Sequence, residues 1–143
     1  AADTLRAKAE LMMHVAHRAL AVSGVSVWAH PFDCSRMRPL TPILEKIDRR
    51  ELAELIALAN SRQVAIEING GPAQHQDYRQ ATEPFFRLAR DMGAGFTITA
   101  DAHHPDDLER LDLAWNWAQA MGLERELLSA DQILDRQQQK CQE

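Results

Sequence analysis

The sequence predicts an α/β fold, a partial (β/α) barrel with about three parallel strands and flanking helices. Three short apolar runs, at residues 25–29, 64–68 and 96–101, alternate with longer segments in which apolar residues recur at helical spacing. The runs are continuously apolar, which is typical of parallel strands buried on both faces. Three such units are too few to close a barrel, which needs roughly 200 or more residues.

The first half of the chain contains two predicted helices and two strands. Apolar residues at helical spacing predict a helix over residues 4–22, before the first strand. Residues 31–42 have the composition of a loop. Asp48 and Glu51 then match a capping box. The helix behind this box has an apolar stripe formed by Leu52, Leu55, Ile56 and Ala59. After the second strand, residues 69–80 read as a long polar loop.

The second half repeats the pattern. Thr82 is the predicted cap of the next helix, Pro84 lies in its first turn, and Gly93 supplies a left-handed stop before the third strand. Asp106 and Glu109 match a second capping box. The residues expected on the inner face of the following helix are Leu108, Leu111, Trp115, Ala118 and Met121.

The carboxyl terminus reads as an appendage to the core. Ser129 and Gln132 match the cap of a last helix, and the polar tail beyond it is expected to fray. We therefore expect a single domain over residues 1–143, with a core at 4–122 and a terminal helix with a frayed tail at 129–143.

Composition excludes several classes of protein. The net charge is −5 without a basic block, which argues against nucleic acid as the main partner and favours a bound cation. Cys34 and Cys141 match neither a disulfide framework nor a zinc motif, which predicts a cytoplasmic protein. No apolar stretch reaches the ~20 residues that cross a membrane. Because the chain begins with Ala, we treat it as a piece of a longer polypeptide.

Ligand-type side chains gather where the strands end. Asp101 and His103 are two residues apart, so in an extended chain they point to the same side, and carboxylate plus imidazole is typical of hydrolytic metal sites. His30 precedes a proline, which predicts an extended backbone that projects its imidazole beyond the first strand. We expect these three residues to converge on one metal-binding rim. The plainer alternatives are a helix-capping Asp101, an exposed His103 and a buried, hydrogen-bonded His30.

Three further residues surround this set. Glu67 lies in an apolar strand and is expected either to bind the metal directly or to orient a ligand imidazole or a backbone turn. Asn69 is either a turn residue or a substrate contact. His104 points away from His103 and is expected to be exposed, to support the ligands or to contact a substrate phosphate.

Three segments together resemble the PHP (polymerase and histidinol phosphatase) superfamily of metal-dependent phosphoesterases. Residues 28–32, Trp-Ala-His-Pro-Phe, are similar to its Ala-His-Pro motif. Residues 65–69, Ala-Ile-Glu-Ile-Asn, resemble its Glu-Ile-Asn strand, and residues 100–103, Ala-Asp-Ala-His, resemble its Ser-Asp-Ala-His signature. The order and spacing agree over roughly residues 15–122. The chain departs from the family in having Thr99 where a Gly is common and in having no His-x-His.

The resemblance implies that this chain is the carboxyl-terminal part of a distorted seven-stranded, TIM-like barrel with two or three Mn, Zn or Fe ions. By the same resemblance, His30 binds one ion of a central pair, Asp101 the other and His103 a third, and further ligands lie upstream. The implied activity is hydrolysis of a small phosphorylated substrate or a phosphodiester by metal-activated water. This chain alone is expected to be inactive, with specificity determined by loops at 32–41 and 70–80.

Two alternatives remain open. The chain could be a noncatalytic scaffold or interaction module related to the PHP fold, or an amidohydrolase-like metal hydrolase. In either case an incomplete barrel exposes strand edges, so we expect self-association or packing against an N-terminal part.

Overall fold

The computed structural model describes residues 2–140, which form an α/β fold with a three-stranded, all-parallel open sheet flanked by helices. The strands are β1 Val27–Trp28, β2 Ala65–Asn69 and β3 Phe96–Thr99, in the order β1-β2-β3. Val27 lies opposite Ala65, and Ile66 lies opposite Phe96. The predicted parallel strands are confirmed, although the first and third are shorter than their apolar runs.

Seven α-helices occur in the described residues. They are α1 Ala2–Ala21, α2 Thr41–Leu44, α3 Arg49–Ser61, α4 Gly70–Ala73, α5 Gln76–Asp91, α6 Arg110–Ala120 and α7 Ala130–Lys140. Short 3-10 turns lie at Ser35–Met37, Pro105–Glu109 and Glu124–Glu126. Between residues 2 and 140, none of the helices combines the length and the apolar character needed to cross a membrane.

The core lies between β2 and the helices. All five residues of β2 are buried, and Leu55 and Ile56 of α3 and Phe85 of α5 pack in the same apolar cluster. Tyr78 is also buried, and its hydroxyl donates to the carbonyl oxygen of Pro31 at 2.9 Å. Burial raises the pKa of Tyr78 well above its ordinary value, so the phenol stays a neutral hydrogen-bond donor.

Two helix signals are confirmed. The Asp48 carboxylate accepts from the N–H of Glu51 at 2.8 Å, and the Glu51 carboxylate accepts from the N–H of Asp48 at 3.0 Å, which is the predicted capping box. Gly93 has a φ of +74°, as expected of a left-handed helix stop.

The prediction of a long loop over residues 69–80 is wrong. α4 begins directly after β2, where the Asn69 side chain accepts from the N–H of Gly71 at 2.8 Å, and α5 begins at Gln76. Asp77, in the first turn of α5, accepts from the N–H of Leu40 at 2.7 Å. The reason is tertiary: contacts distant in sequence stabilise helices that local propensity does not favour.

The predicted start of the third long helix is also wrong. Thr82 lies inside α5, where its buried hydroxyl donates to the carbonyl oxygen of Tyr78 at 2.7 Å instead of capping. Pro84 is likewise inside α5 and exposed. The helix continues through it because the buried face on both sides, including Phe85 and Phe86, outweighs one lost hydrogen bond.

The inner face of α6 differs from the predicted one. Leu108, Leu111 and Trp115 are 61%, 43% and 41% exposed, and the buried residues are Ala114, Trp117, Ala118 and Met121. The contacts of α6 with α4, β2 and β3 select a face that is centred on two small residues, Ala114 and Ala118, and not on the larger apolar side chains. The predicted box of Asp106 and Glu109 is replaced by one between His104 and Asp107.

The carboxyl-terminal helix is longer than expected. The predicted cap is confirmed, since the N–H of Gln132 donates to the Ser129 hydroxyl at 3.2 Å and the Gln132 side chain accepts from the N–H of Ser129 at 2.8 Å. The tail does not fray before Lys140, whose ammonium donates to the carbonyl oxygen of Val25 at 2.9 Å. Cys141 and the last two residues lie outside the described residues.

Candidate functional site

Glu67 connects the carboxyl ends of all three strands. One carboxylate oxygen accepts from the main-chain N–H of His30, two residues beyond β1, at 2.6 Å, and from the Asn69 side-chain amide at 3.1 Å. The other oxygen accepts from the Thr99 hydroxyl at 2.8 Å. Glu67 is only 6% exposed, so these bonds offset the cost of burying its charge.

The register of the sheet explains this arrangement. Asn69 of β2 lies opposite Thr99 of β3, and Glu67 lies opposite Thr97. Residues two apart on a strand share a face, so the side chain of Asn69 bonds the Glu67 carboxylate, which also reaches the hydroxyl of Thr99, the last residue of β3. The side-chain oxygen of Asn69 accepts a hydrogen bond from the N–H of Gly71, and this bond caps the start of α4. The hydrogen bonds of Glu67 therefore fix the strand ends relative to one another.

A cleft of about 340 Å³ lies at this edge of the sheet, formed by residues that follow each of the three strands. Its lining includes Asp33 and Arg38 after β1, Gly71 and His75 after β2, and Asp101, His103 and Arg110 after β3. This location agrees with the general rule that open parallel sheets bind ligands outside the carboxyl ends of their strands.

The loop after β3 is organised by Asp107. One oxygen of its carboxylate accepts from the N–H groups of His103 and His104, both at 3.0 Å, and the other lies 2.5 Å from the Arg110 guanidinium. The N–H of His103 lowers the pKa of Asp107 most, and His104 and Arg110 act in the same direction. The Nδ1 atom of His103 lies 2.9 Å from the carbonyl oxygen of Asp101, so the imidazole orientation is also fixed.

On the opposite side of the cleft, Arg38 lies between two carboxylates. Its guanidinium is 3.0 Å from Asp33 and 3.9 Å from Asp77. Burial raises the pKa of Asp77, but hydrogen bonds from Leu40 and Thr41, together with the charge of Arg38, outweigh it and hold this pKa below its ordinary value. Arg38 is thus a positioned guanidinium at the cleft.

Two backbone positions at this edge are unusual. His30 has a φ of +28° and Phe32 a φ of +61°, so the prediction of an extended His30 is wrong. The Glu67 carboxylate holds the His30 N–H in place, and this contact overrides the local preference before a proline. The extended backbone expected at Asp101 is also wrong, since this residue has a φ of +51°, a conformation that Asp tolerates better than most residues.

The predicted metal ligands are only partly brought together. Asp101 and His103 line the same cleft, whereas His30 lines an adjoining apolar cavity of about 570 Å³ between α1 and β1, which shares Asp33 with the cleft. His30 and Asp101 follow β1 and β3, and β2 lies between these two strands. Among residues 2–140, no three His, Cys, Asp or Glu side chains are grouped closely enough to hold a metal ion.

The other two predicted site residues shape turns. Asn69 is buried between Glu67 and Gly71. His104 is exposed and caps the 3-10 turn, its ring nitrogen accepting from the N–H of Asp106 at 3.4 Å. Neither side chain is among those that line the cleft.

Sequence reasoning missed the two arginines of the cleft, Arg38 and Arg110. Arg38 lies in a loop with no periodicity, and Arg110 begins a helix, where a basic residue gives no distinctive signal. The only available indication was their proximity in sequence to strand ends. No protein-family model, curated protein or solved structure matches this chain.

Proposed function

We propose that this chain is part of a PHP-type phosphoesterase and that its strand-end cleft receives the phosphate group of the substrate. The observation that carries this proposal is the joint presence in one cleft of two guanidiniums, Arg38 and Arg110, with the carboxylate and imidazole of Asp101 and His103. Three motifs in the family's order, each in a strand or directly after one, support it, as do three parallel strands that fit part of a (β/α) barrel.

Guanidiniums suit phosphate because their planar N–H groups match two phosphate oxygens at once. Arg110 is oriented by Asp107 and Arg38 by Asp33, so both side chains need little reordering when an anion enters. Their side chains are 29% and 28% exposed, which leaves them accessible yet partly shielded from solvent. We expect these residues to bind and orient a phosphate ester.

The left-handed backbone at His30, Phe32 and Asp101 gives further support. Such conformations cost roughly 1 to 3 kcal/mol each and concentrate at functional sites. Three of the four non-glycine residues with positive φ in the described chain lie at this edge of the sheet. Glu67 stabilises one of them, His30, through its N–H.

The metal ions that the resemblance implies do not fit the described residues as a complete site. Asp101 and His103 share the cleft, but a third donor of the same kind is not grouped with them within residues 2–140. A full set of ligands would need donors from outside these residues. We therefore propose that this chain binds and orients the phosphate group and contributes two metal-type donors, Asp101 and His103.

Paramagnetic NMR tests this assignment even if the metal binds weakly. Mn²⁺ added to the chain should broaden the amide resonances of Asp101, His103 and Gly71 first, and Asp101→Asn with His103→Ala should abolish the effect. The matched control is His14→Ala with His17→Ala, which removes an exposed pair on α1. Broadening centred on that pair, or unchanged broadening at the cleft in the Asp101/His103 variant, would reject the assignment.

A noncatalytic scaffold is the second candidate. It is favoured by the lack of three grouped metal-type donors among the described residues. A scaffold requires neither Mn²⁺ nor phosphate at the cleft, so absence of both from the cleft would favour it over the phosphoesterase.

A further inference from the structure

Two exposed apolar stripes lie on different helices. On α1, Leu11 and Val15 are 50% and 58% exposed and lie on one face of the helix, and Val22, the first residue after α1, is 57% exposed. The second stripe, Leu108, Leu111 and Trp115, continues from the preceding turn onto α6. Groups of exposed large apolar side chains mark interaction surfaces more often than single ones do.

The charges beside the two stripes are opposite. Lys8 and Arg18 lie within one or two helical turns of Leu11 and Val15, on the same side of α1. Beside the second stripe, Glu109 and Asp112 are exposed, and Asp112 follows Leu108 by four residues and precedes Trp115 by three. The basic residue nearest to Asp112 in sequence is Arg110, which is already paired with Asp107. One stripe is therefore basic and the other acidic.

The α1 stripe also borders a cavity that can accept a large side chain. The cavity of about 570 Å³ is lined mostly by apolar residues, among them Leu11 and Val15 of α1 and Trp28 of β1, and its carboxylate, Asp33, is paired with Arg38. Within the described part of the chain, β1 pairs only with β2, so its outer edge is open at this cavity. Trp115, at 41% exposed, is the largest apolar side chain of the acidic stripe.

We propose that the basic α1 stripe of one copy of this chain binds the acidic α6 stripe of a second copy, with Trp115 inserted into the cavity between α1 and β1. Because the contact joins two different surfaces, it forms a two-fold dimer if both copies use both stripes at once, and otherwise a ring or an open chain. Tryptophan anchors in apolar cavities commonly dominate such interfaces.

Single substitutions on each stripe provide the first test. Sedimentation velocity at micromolar concentration should show that the wild-type chain self-associates. Val15→Asp on α1 and Trp115→Ser on α6 should each weaken the association about tenfold or more, as expected for a central contact. Leu134→Ser is the matched control, because Leu134 is a 53% exposed leucine on α7 outside both stripes. Circular dichroism checks that each variant remains folded.

Mixing the two variants distinguishes a contact between the two different stripes from a contact of one stripe with its own copy. A Val15→Asp copy retains its α6 stripe and a Trp115→Ser copy retains its α1 stripe, so the mixture should form a 1:1 complex although neither variant associates alone. Arg18→Glu mixed with Asp112→Lys should likewise associate more tightly than either alone. A monomeric wild type, a mixture that stays monomeric, or an association that only one stripe affects would overturn the proposal.

Discussion

The carboxylate of Glu67 accepts a hydrogen bond of 2.6 Å from the main-chain N–H of His30, 37 residues earlier in the chain. This bond joins the exit of β1 to the middle strand, and the Thr99 hydroxyl joins β3 to the same carboxylate. A buried anion thus holds together the edge of the sheet at which the candidate site lies.

Replacement of Glu67 should therefore destabilise the whole fold. Glu67→Ala leaves the His30 N–H, the Asn69 amide and the Thr99 hydroxyl without their partner, and we expect a loss of about 2 to 3 kcal/mol in the free energy of unfolding. Thr99→Val removes one of these bonds and should cost about 1 kcal/mol. Urea unfolding measures both, and a loss below about 0.5 kcal/mol for Glu67→Ala would show that the network contributes little.

Asp77 should make stability depend on pH in the acidic range. Because its pKa is lowered in the folded state, its contribution is present above its ordinary pKa of about 3.9 and is lost as the pH falls through the lowered value. Asp77→Asn should be less stable than wild type at pH 7, and the difference should shrink below about pH 4. Unfolding at a series of pH values checks this, and a difference that is constant down to pH 2 would contradict it.

Two substitutions of Asp101 separate the effect of backbone strain on stability from the effect of the carboxylate on metal binding. Its φ of +51° is relaxed by glycine and strained by alanine, so Asp101→Gly should be at least as stable as wild type and Asp101→Ala lower by about 1 kcal/mol. Both variants remove the carboxylate and should equally lose the Mn²⁺ effect at the cleft. Thermal unfolding of the two variants checks this, and an Asp101→Ala variant more stable than Asp101→Gly would contradict the strain at this position.

Gly70 is required for the close approach of α4 to α6. A Cβ atom at this position would overlap the main-chain carbonyl of Arg110, which cannot move without shifting α6. We expect Gly70→Ala to cost about 2 kcal/mol or more and to disturb the cleft residues of α6. Gly24→Ala is a control for a glycine whose added Cβ meets no neighbour, although its φ of +84° adds a smaller strain. An equal or larger loss at Gly24 would argue against the close-packing account.

Sequence patterns were sufficient for much of the fold. The parallel strands, the first helix and the Asp48 capping box follow from local periodicity and side-chain chemistry, which require no knowledge of distant contacts. The patterns failed where distant contacts decide the structure. Asp77, in the first turn of α5, accepts from the main chain at Leu40, and the contacts of α6 with α4, β2 and β3 leave Trp115 exposed.

The candidate site was also predicted only in part from the sequence. Asp101 and His103 follow a strand and share the cleft, but the extended backbone from which this was predicted is not formed at Asp101. The separate position of His30 depends on a left-handed backbone that is held by Glu67, and a proline next in sequence predicted the opposite. Arg38 and Arg110 can be recognised as site residues only from the structure, in which the segments after the three strands lie together at one edge of the sheet.

The most direct test of the central claim is a titration of the chain with inorganic phosphate, followed by amide NMR. We predict saturable shifts at Gly71, Asp101 and His103, which disappear in the Arg38→Met, Arg110→Met double variant and persist in Arg49→Met, Arg50→Met, where two exposed arginines of α3 are removed. Saturable shifts that survive in the Arg38/Arg110 variant, or the absence of saturable shifts at the cleft in the wild-type chain, would contradict the proposed phosphate site.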